Sequence, residues 1–356
     1  MRRPVLITGA CGLLGSHVVR RLAAAGFPVV AVDLDTPAAR ATAKAMAVAG
    51  DVRFAPADIT TAEAIRSVVL EADPRAVIHL AAVIPPGAYR RPQLAERVNV
   101  DGTANVVAAM RYMEHPGRLI LASSTAVYGS RNGAKELCLC ASHTPVNPCD
   151  VYGAHKVAAE KLVHNSGLDW AILRIGGIIA SDLARRTDRD SVLMDAIIPS
   201  DNRIHSVSVV EAAEAFANAV EADCLDMTLL IAGDDSHMLR QHEFATHMMT
   251  IAGLGSHAST RGRMGNPDDD DAWFLTDWMD TKQARSVLEF RAVTIDECVA
   301  QCRSELSSLR VLLRPMGYLA SPMLSLLSPY RTMPGEWADP WGVIAARFGA
   351  EALAPS

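Results

Sequence analysis

Residues 5–15 read Val-Leu-Ile-Thr-Gly-Ala-Cys-Gly-Leu-Leu-Gly, and the fold is decided here. Val5 to Thr8 form a short apolar run of strand character. Glycines follow at 9, 12 and 15, and a helical period begins near Leu14. A strand that runs directly into three glycines and then a helix lets backbone N–H groups approach a pyrophosphate, whose charge rests at the positive end of the helix. Gly9, Gly12 and Gly15 supply the tight turn and close approach, and Cys11, Leu13 and Leu14 supply the backbone between and after them. Asp33, 18 positions beyond Gly15 (33 − 15), ends the next apolar run, where a carboxylate can accept both hydroxyls of an adenosine ribose. A carboxylate there repels the extra phosphate of NADP, and the neighbouring Leu34 and Asp35 offer no Arg to neutralise one. NAD is therefore the expected cofactor.

Outward from this stretch, strands are expected at 5–8, 29–33, 52–54, 76–80, 119–123 and 170–173. Helical periods alternate with them at 14–24, 38–47, 62–71, 94–113 and 151–165. Regular alternation of strand and helix predicts an α/β fold: a doubly wound parallel (Rossmann) sheet with a smaller C-terminal substrate-binding region. Asp58 and Ile59 follow the third strand, and Leu80, Ala81 and Ala82 end the fourth. Both groups fall at the carboxyl edge of the sheet, where they would meet the cofactor. Ile84, Pro85, Pro86 and Tyr89 would wall the adjoining pocket, with Ile84 reaching substrate.

Beyond Gly176 the pattern loosens. Residues 181–203 read as a polar, loop-rich stretch with Asp182, Arg185, Arg186 and Asp188. Then come a helix at 209–220, a strand at 228–231, a helix at 239–252, a solvated acidic run Asp268 to Asp271 and a helix at 295–313. The expected organisation is an NAD-binding domain with its catalytic helix at 1–177 and a substrate-binding region intertwined with the sheet at 178–313. A tail at 314–356 would serve as a docking or dimer surface.

Composition narrows the function classes. Lys plus Arg number 34 against 40 for Asp plus Glu, and no stretch gathers the basic residues into a stripe, so nucleic acid is not an expected partner. Residues 311–327 are apolar, but Arg314, Pro315 and Pro322 interrupt them, so no integral membrane segment is expected. The chain runs from Met1 almost at once into its first strand, leaving no room for a cleavable signal. Seven scattered cysteines, an odd number, fit a reducing cytoplasm, and no Cys or His spacing predicts a metal site. His205 and Arg203 could face an anionic substrate or a surface loop, His155 reads as a partly exposed structural residue, and Met248, Met249 and Met264 as core filler.

The chemistry resides at 150–156. Asp150 is placed to cap a helix, and the four-residue spacing of Tyr152 and Lys156 puts both on one face. A phenol has a pKa near ~10 and is a poor base at neutral pH, but a nearby ammonium and a positive nicotinamide ring favour the phenolate. Tyr152 can then take a hydroxyl proton while hydride leaves for the nicotinamide.

At this point the sequence resembles the extended short-chain dehydrogenase/reductase superfamily, in its NAD-dependent epimerase/dehydratase group. The resemblance is carried by TGACGLLG at 8–15, Asp33, Asp58, HLAA at 79–82, Asn99 within VNVDGT, SSTAVYG at 123–129, YGAHK at 152–156 and LRIGG at 173–177. It implies that Ser124 hydrogen-bonds the reacting oxygen, with Thr125 as the alternative. Lys156 would also hold the nicotinamide ribose, and Asn99 would lie near the active site. Substrate contacts are implied at Ile84, Ser124, Thr125, Gly176, Gly177 and Arg203. Relatives commonly pair through two helices, which implies a homodimer through 94–113 and 151–165. Residues 203–213 resemble a pocket-lining segment of the group, with Ser206 in place of an aromatic residue, Ser208 in place of histidine and Glu211 in place of aspartate.

Three reactions share this apparatus. Dehydratases carry an acidic pair where this chain has Thr125 and Ala126, so dehydration is disfavoured. Sugar-nucleotide 4-epimerases need only the Ser/Tyr/Lys set with bound NAD, and SSTAVYG resembles their version. Enzymes that hold a nucleotide diphosphate have an Asn-Pro where this chain has Gly176 and Gly177, followed by a longer insertion before an Arg. Here Arg203 follows Gly177 by 26 residues (203 − 177). The leading reading is reversible NAD-dependent oxidoreduction of a small hydroxylated molecule, with Tyr152 as base and acid. A UDP-glucose-type 4-epimerase and a non-catalytic dinucleotide-binding protein are the alternatives.

Overall fold

The computed structural model describes residues 2–135, 138–181, 189–253, 262–306, 328–331 and 333–353. The first half runs β1 (Val5–Thr8), α1 (Leu13–Ala24), β2 (Val29–Val32), α2 (Pro37–Met46), β3 (Val52–Phe54), α3 (Ala62–Ala72), β4 (Ala76–His79), α4 (Gly87–Arg90), α5 (Pro92–Glu96), α6 (Gly102–Arg111), β5 (Arg118–Ser124) and α7 (Val151–His164). The second half runs β6 (Trp170–Ile175), β7 (Gly177–Ile179), α8 (Arg189–Ile197), β8 (Arg203–Ser208), α9 (Val209–Asn218), β9 (Met227–Ile231), β10 (Met238–Arg240), α10 (Gln241–Ala252), α11 (Lys282–Leu288), α12 (Ile295–Glu305) and α13 (Pro340–Phe348).

Seven strands form one sheet in the order β3-β2-β1-β4-β5-β6-β9, and every pairing in it is parallel. The doubly wound expectation is met. β1, β2 and β4 are buried along their whole length, as strands covered on both faces must be. Alternate residues of β1 feed two cores: Val5 and Ile7 pack with Val18, Val19 and Phe216 on one face, while Leu6 packs with Ile65, Val106 and Val163 on the other. The order reverses between β1 and β4, which opens the crevice where ligands of such sheets lie.

A second sheet, β10-β8-β7, stands beside the first and carries the substrate-side elements. The expectation of one helix at 239–252 is corrected at its start, because residues 238–240 pair with β8 and the helix begins at Gln241. The expectation of a loop at 181–203 is corrected as well. Residues 189–197 form α8, whose Leu193, Met194 and Ile197 pack into an apolar cluster. Asp182, Arg185, Arg186 and Asp188, residues 311–327 and the expected helix beyond Leu306 lie outside the described residues. The predicted helix at 94–113 is interrupted by a π-turn at Arg97–Asp101, centred on Asn99. The tail is structured where it is described. In α13, Val343 and Ile344 pack into the same cluster as Tyr89, Ala126, Phe274 and Leu275.

No helix among the described residues is long and apolar enough to cross a membrane.

Candidate active site

The glycine turn is built as its sequence requires. Gly9 has φ +66, and a Cβ there would stand 2.7 Å from the Ala81 backbone N. At Gly15 a Cβ would stand 2.1 Å from the Gly9 carbonyl oxygen, so α1 can cross the turn this closely only with glycine. Gly12 precedes α1 with no side-chain cap, leaving the helix's first N–H groups directed at the crevice. The Asp33 carboxylate accepts from Cys11 N and Leu34 N, both at 2.8 Å, which fixes it beside the glycine turn with lone pairs to spare. Arg40, the nearest cation along the chain, is bound by Asp35 at 2.6 Å. These features fit a dinucleotide of the NAD type: a cradle that any Cβ would fill, a helix end for the pyrophosphate and a carboxylate for the ribose.

β4 and its following loop are tied down by buried polar contacts. His79 bridges Thr8 Oγ1 at 2.6 Å and Thr103 Oγ1 at 3.0 Å, and burial holds its pKa down to about 3, so the ring is a neutral link. Asn99 Oδ1 accepts from Val83 N at 2.7 Å, and its Nδ2 donates to Val83 O at 2.9 Å. The π-turn turns this amide toward the post-β4 loop, the kind of position such turns commonly occupy at functional sites. Asn99 thus holds the loop carrying Ile84 and Pro85. Asp58 accepts from Thr60 N at 2.9 Å and caps its own turn, and Ile59 is buried against α6, which has glycine at 102 to admit it.

Asp150 caps α7, its Oδ1 accepting from Gly153 N at 2.7 Å while Oδ2 accepts from Tyr89 Oη at 2.7 Å. Burial pushes this carboxyl up to about 6 against those hydrogen bonds. Tyr89 therefore anchors the catalytic helix from behind and does not wall the pocket. Tyr152 and Ser124 line one cavity, and Lys156 Nζ lies 5.8 Å from the Tyr152 ring centroid and donates to Ala122 O at 2.7 Å. Burial pushes the Tyr152 phenol well above its ordinary range, opposed by Ser124 and reinforced by the Asp150 charge. It also pulls the Lys156 ammonium down to about 8 against the pull of Glu160. This is the balance of the cofactor-free chain; the positive nicotinamide ring, on which the expectation of a phenolate also rests, would act in the opposite direction.

One cavity of about 570 Å³ joins these groups. Gly9, Gly12, Leu13, Leu14 and Gly15 line it, together with Leu80 and Ala82 from the post-β4 edge. Ser124, Tyr152 and Lys156 line it too, so the three side chains expected to carry the chemistry and the glycine turn face one space. Ile84 and Gly176 line it as expected. Residues not singled out from sequence complete it: Ile175, Ile178, Met194, Ile198, Phe274 and Leu275. Phe274 and Leu275 directly follow an exposed acidic run, and nothing local marks them as pocket residues.

Three expected substrate contacts are placed elsewhere. Thr125 is buried in the 3-10 turn after β5 and does not line the cavity. Gly177 begins β7, where a Cβ would meet Ile204. The Arg203 side chain turns away to Asp277 at 3.7 Å and the Trp278 ring at 4.8 Å, because β8 pairs with β10 in a register that places it over that loop. His205 is buried, bonded to Gly233 O at 3.1 Å and to Met279 N at 3.1 Å, and so is structural. His155 is more enclosed than expected, with Nδ1 unpartnered, and Met264 is exposed rather than filling a core. Ser208 and Glu211 form a capping box for α9, which accounts for their departure from the family pattern without a ligand.

Comparisons with known proteins agree with this geometry. The chain is 32% identical over 180 residues to UDP-glucose 4-epimerase 2 of Oryza sativa subsp. japonica, covering 48% of this chain and 43% of that protein. It is 29% identical over 186 residues to D-erythronate dehydrogenase of Cupriavidus necator, covering 48% and 54%. The chain thus spans about half the length of the curated relatives it matches. A solved structure of UDP-glucose 4-epimerase from Bifidobacterium longum, in complex with NAD+ and UDP, superposes with a TM-score of 0.69 at 17% identity, over 86% of this chain and 98% of that one. Residues 5–247 match the sequence model described as the NAD dependent epimerase/dehydratase family. Since that match takes in the glycine turn, the catalytic helix and the second sheet alike, the chain is a member of the NAD-dependent epimerase/dehydratase family.

Proposed function

We propose that the chain is an NAD-dependent oxidoreductase that interconverts a secondary alcohol and its ketone on a small molecule. The observation that carries this reading is the shared cavity, in which Ser124, Tyr152 and Lys156 face the same space as the glycine turn. Bound NAD supplies the hydride acceptor. Ser124 holds the substrate oxygen, and Tyr152 removes its proton in oxidation or returns it in reduction. Lys156 sits one helical turn further on, where its charge opposes the effect of burial on the phenol and its ammonium can hold the nicotinamide ribose. Asp150 and Tyr89 fix the start of α7, so the phenol is positioned before substrate arrives.

A 4-epimerase would use the same three side chains, as the similarity to UDP-glucose 4-epimerases brings out. The walls favour simple oxidoreduction: among the described residues Lys156 is the one charged side chain that lines the cavity, and the rest of that lining is largely apolar. A purely binding protein would have no use for Ser124, Tyr152 and Lys156 facing the glycine turn across one cavity. Tyr152→Phe should lower turnover by roughly 10²- to 10⁴-fold while NAD affinity stays within a few-fold. Undiminished turnover would refute the assignment. Release of NADH in proportion to substrate consumed marks a dehydrogenase, whereas unchanged, retained NAD marks an epimerase.

Residues 1–177 are read as the cofactor domain and 178–313 as a substrate region that returns β9 to the sheet and Met194, Ile198, Phe274 and Leu275 to the cavity. Of the tail at 314–356, the described residues 328–331 and 333–353 are read as a brace for that cavity, which leaves its outer face open to the docking or dimer role expected of it. A homodimer through α6 and α7 is supported by a groove between them lined by Val100, Ala104, Val107 and Leu162. A reducing, cytoplasmic setting is supported by seven cysteines that all stand as free thiols.

A further inference from the structure

We infer that the reacting carbinol is carried on a predominantly apolar skeleton, such as an aryl-substituted or carbocyclic secondary alcohol, and not on a polyol, a hydroxy acid or a sugar nucleotide. This rests on the oxidoreductase reading above and narrows its substrate.

The polar side chains lining the cavity among the described residues are Ser123, Ser124, Tyr152 and Lys156, all from β5 and α7. Ser123 is already committed to Glu160 at 2.5 Å, and Lys156 to Ala122 O. Among the described residues the free polar function is thus confined to the hydroxyls of Ser124 and Tyr152. The substrate-side elements present Ile84, Pro85, Met194, Ile198, Phe274 and Leu275. A polyol would bring several hydroxyls against these walls. Each hydroxyl left unpaired lowers affinity on the order of ten- to a hundredfold, and among the described residues Lys156 is the one cation lining the cavity to meet a carboxylate or diphosphate.

The apolar wall is built rigidly. Phe274 stacks on Trp341 with ring centroids 5.4 Å apart and planes 15° apart, and its N–H donates to Asn202 Oδ1 at 3.0 Å. Trp341 Nε1 donates to Trp273 O at 3.0 Å, and Tyr330 Oη donates to Ile197 O at 2.6 Å, beside Ile198. The C-terminal segment therefore braces both α8 and residues 273–275. The opposed aromatic and aliphatic faces are preformed, as in pockets that select apolar ligands with one oriented polar group. In oxidation the phenol would first lose its proton to solvent; the carbinol hydrogen would then leave as hydride to NAD+, giving NADH, while the hydroxyl proton passes to the Tyr152 phenolate and restores the phenol. The product is the ketone.

The test uses the full chain with NAD and scores NADH formation from 1-indanol and 1-phenylethanol beside D-erythronate, sorbitol and UDP-galactose. In parallel, 1-indanone and UDP are titrated into the NADH complex while its fluorescence is followed. The expected result is a kcat/KM at least tenfold higher for the apolar alcohols, with a fluorescence change for 1-indanone and none for UDP. Ile198→Arg should raise KM for 1-indanol at least tenfold with kcat little changed. Met194→Gln, a milder exchange, should raise it several-fold should the first variant fold poorly. Higher kcat/KM on any polar substrate, or no response to 1-indanone, overturns the inference and leaves the hydride reading standing. Binding of 1-indanone without oxidation of any alcohol overturns the hydride reading and leaves the apolar site.

Discussion

Replacing Lys156 by Met should abolish turnover and, near pH 7, make the cofactor-free protein more stable. The Nζ is buried and makes one strong contact, to Ala122 O at 2.7 Å. Burial lowers its pKa from 10.5 to about 8, a difference of 2.5. At about 1.36 kcal/mol per unit this is roughly 3 kcal/mol charged against the folded state while the amine is protonated. Methionine keeps most of the stem volume and removes the charge. Loss of the hydrogen bond offsets about 1–2 kcal/mol, so a net gain of about 1–2 kcal/mol is expected. The sign with pH follows from proton counts. The folded pKa lies below the unfolded one, so between about 8 and 10.5 the unfolded chain binds more protons, and wild-type stability rises with pH there. The variant lacks this term. Its advantage should therefore shrink by about 3 kcal/mol across that window, pass through zero at about pH 9 and be reversed by about pH 10.5. Urea unfolding of both proteins at about pH 7, 9 and 10.5 reads the difference directly, because all other titrating groups are common to both. A stability difference that is constant with pH, or a variant less stable at pH 7 by several kcal/mol, would refute the reasoning.

Other consequences are open to measurement. Asp33→Asn keeps an acceptor for only one of Cys11 N and Leu34 N, which use different carboxylate oxygens, and removes the charge, so KM for NAD should rise about tenfold and the preference over NADP should narrow in steady-state kinetics. Arg174→Leu strands Glu160, which Arg174 grips at 2.9 and 2.7 Å in a buried pair. Urea unfolding should show a loss of about 3–5 kcal/mol. Asn99→Ala removes two hydrogen bonds to Val83 and should cost about 2–3 kcal/mol or raise KM several-fold by loosening the Ile84 loop. Trp341→Ala should raise substrate KM with little change in NAD affinity, because it frees Phe274 while leaving the glycine turn untouched.

The sequence by itself determined the parts whose physics is local. A glycine turn needs glycines at fixed spacing, a parallel strand buried on both faces needs an unbroken apolar run, and a phenol and an amine share a helix face only at a separation of about one turn. Gly9, Gly12, Gly15, Asp33, Tyr152 and Lys156 were legible for that reason, and the shared cavity joins all but Asp33, which is bonded to the glycine turn. The tertiary structure decided the apolar wall of the cavity and the desolvation that raises the phenol pKa. Met194, Ile198, Phe274 and Leu275 reach the cavity because a second sheet and a C-terminal helix carry them there across long sequence separations. Arg203 left it because strand register, which no local pattern encodes, turned its side chain toward Asp277. Burial belongs to the packed molecule, so the balance between dehydrating Tyr152 and charging it appears only once the chain is folded.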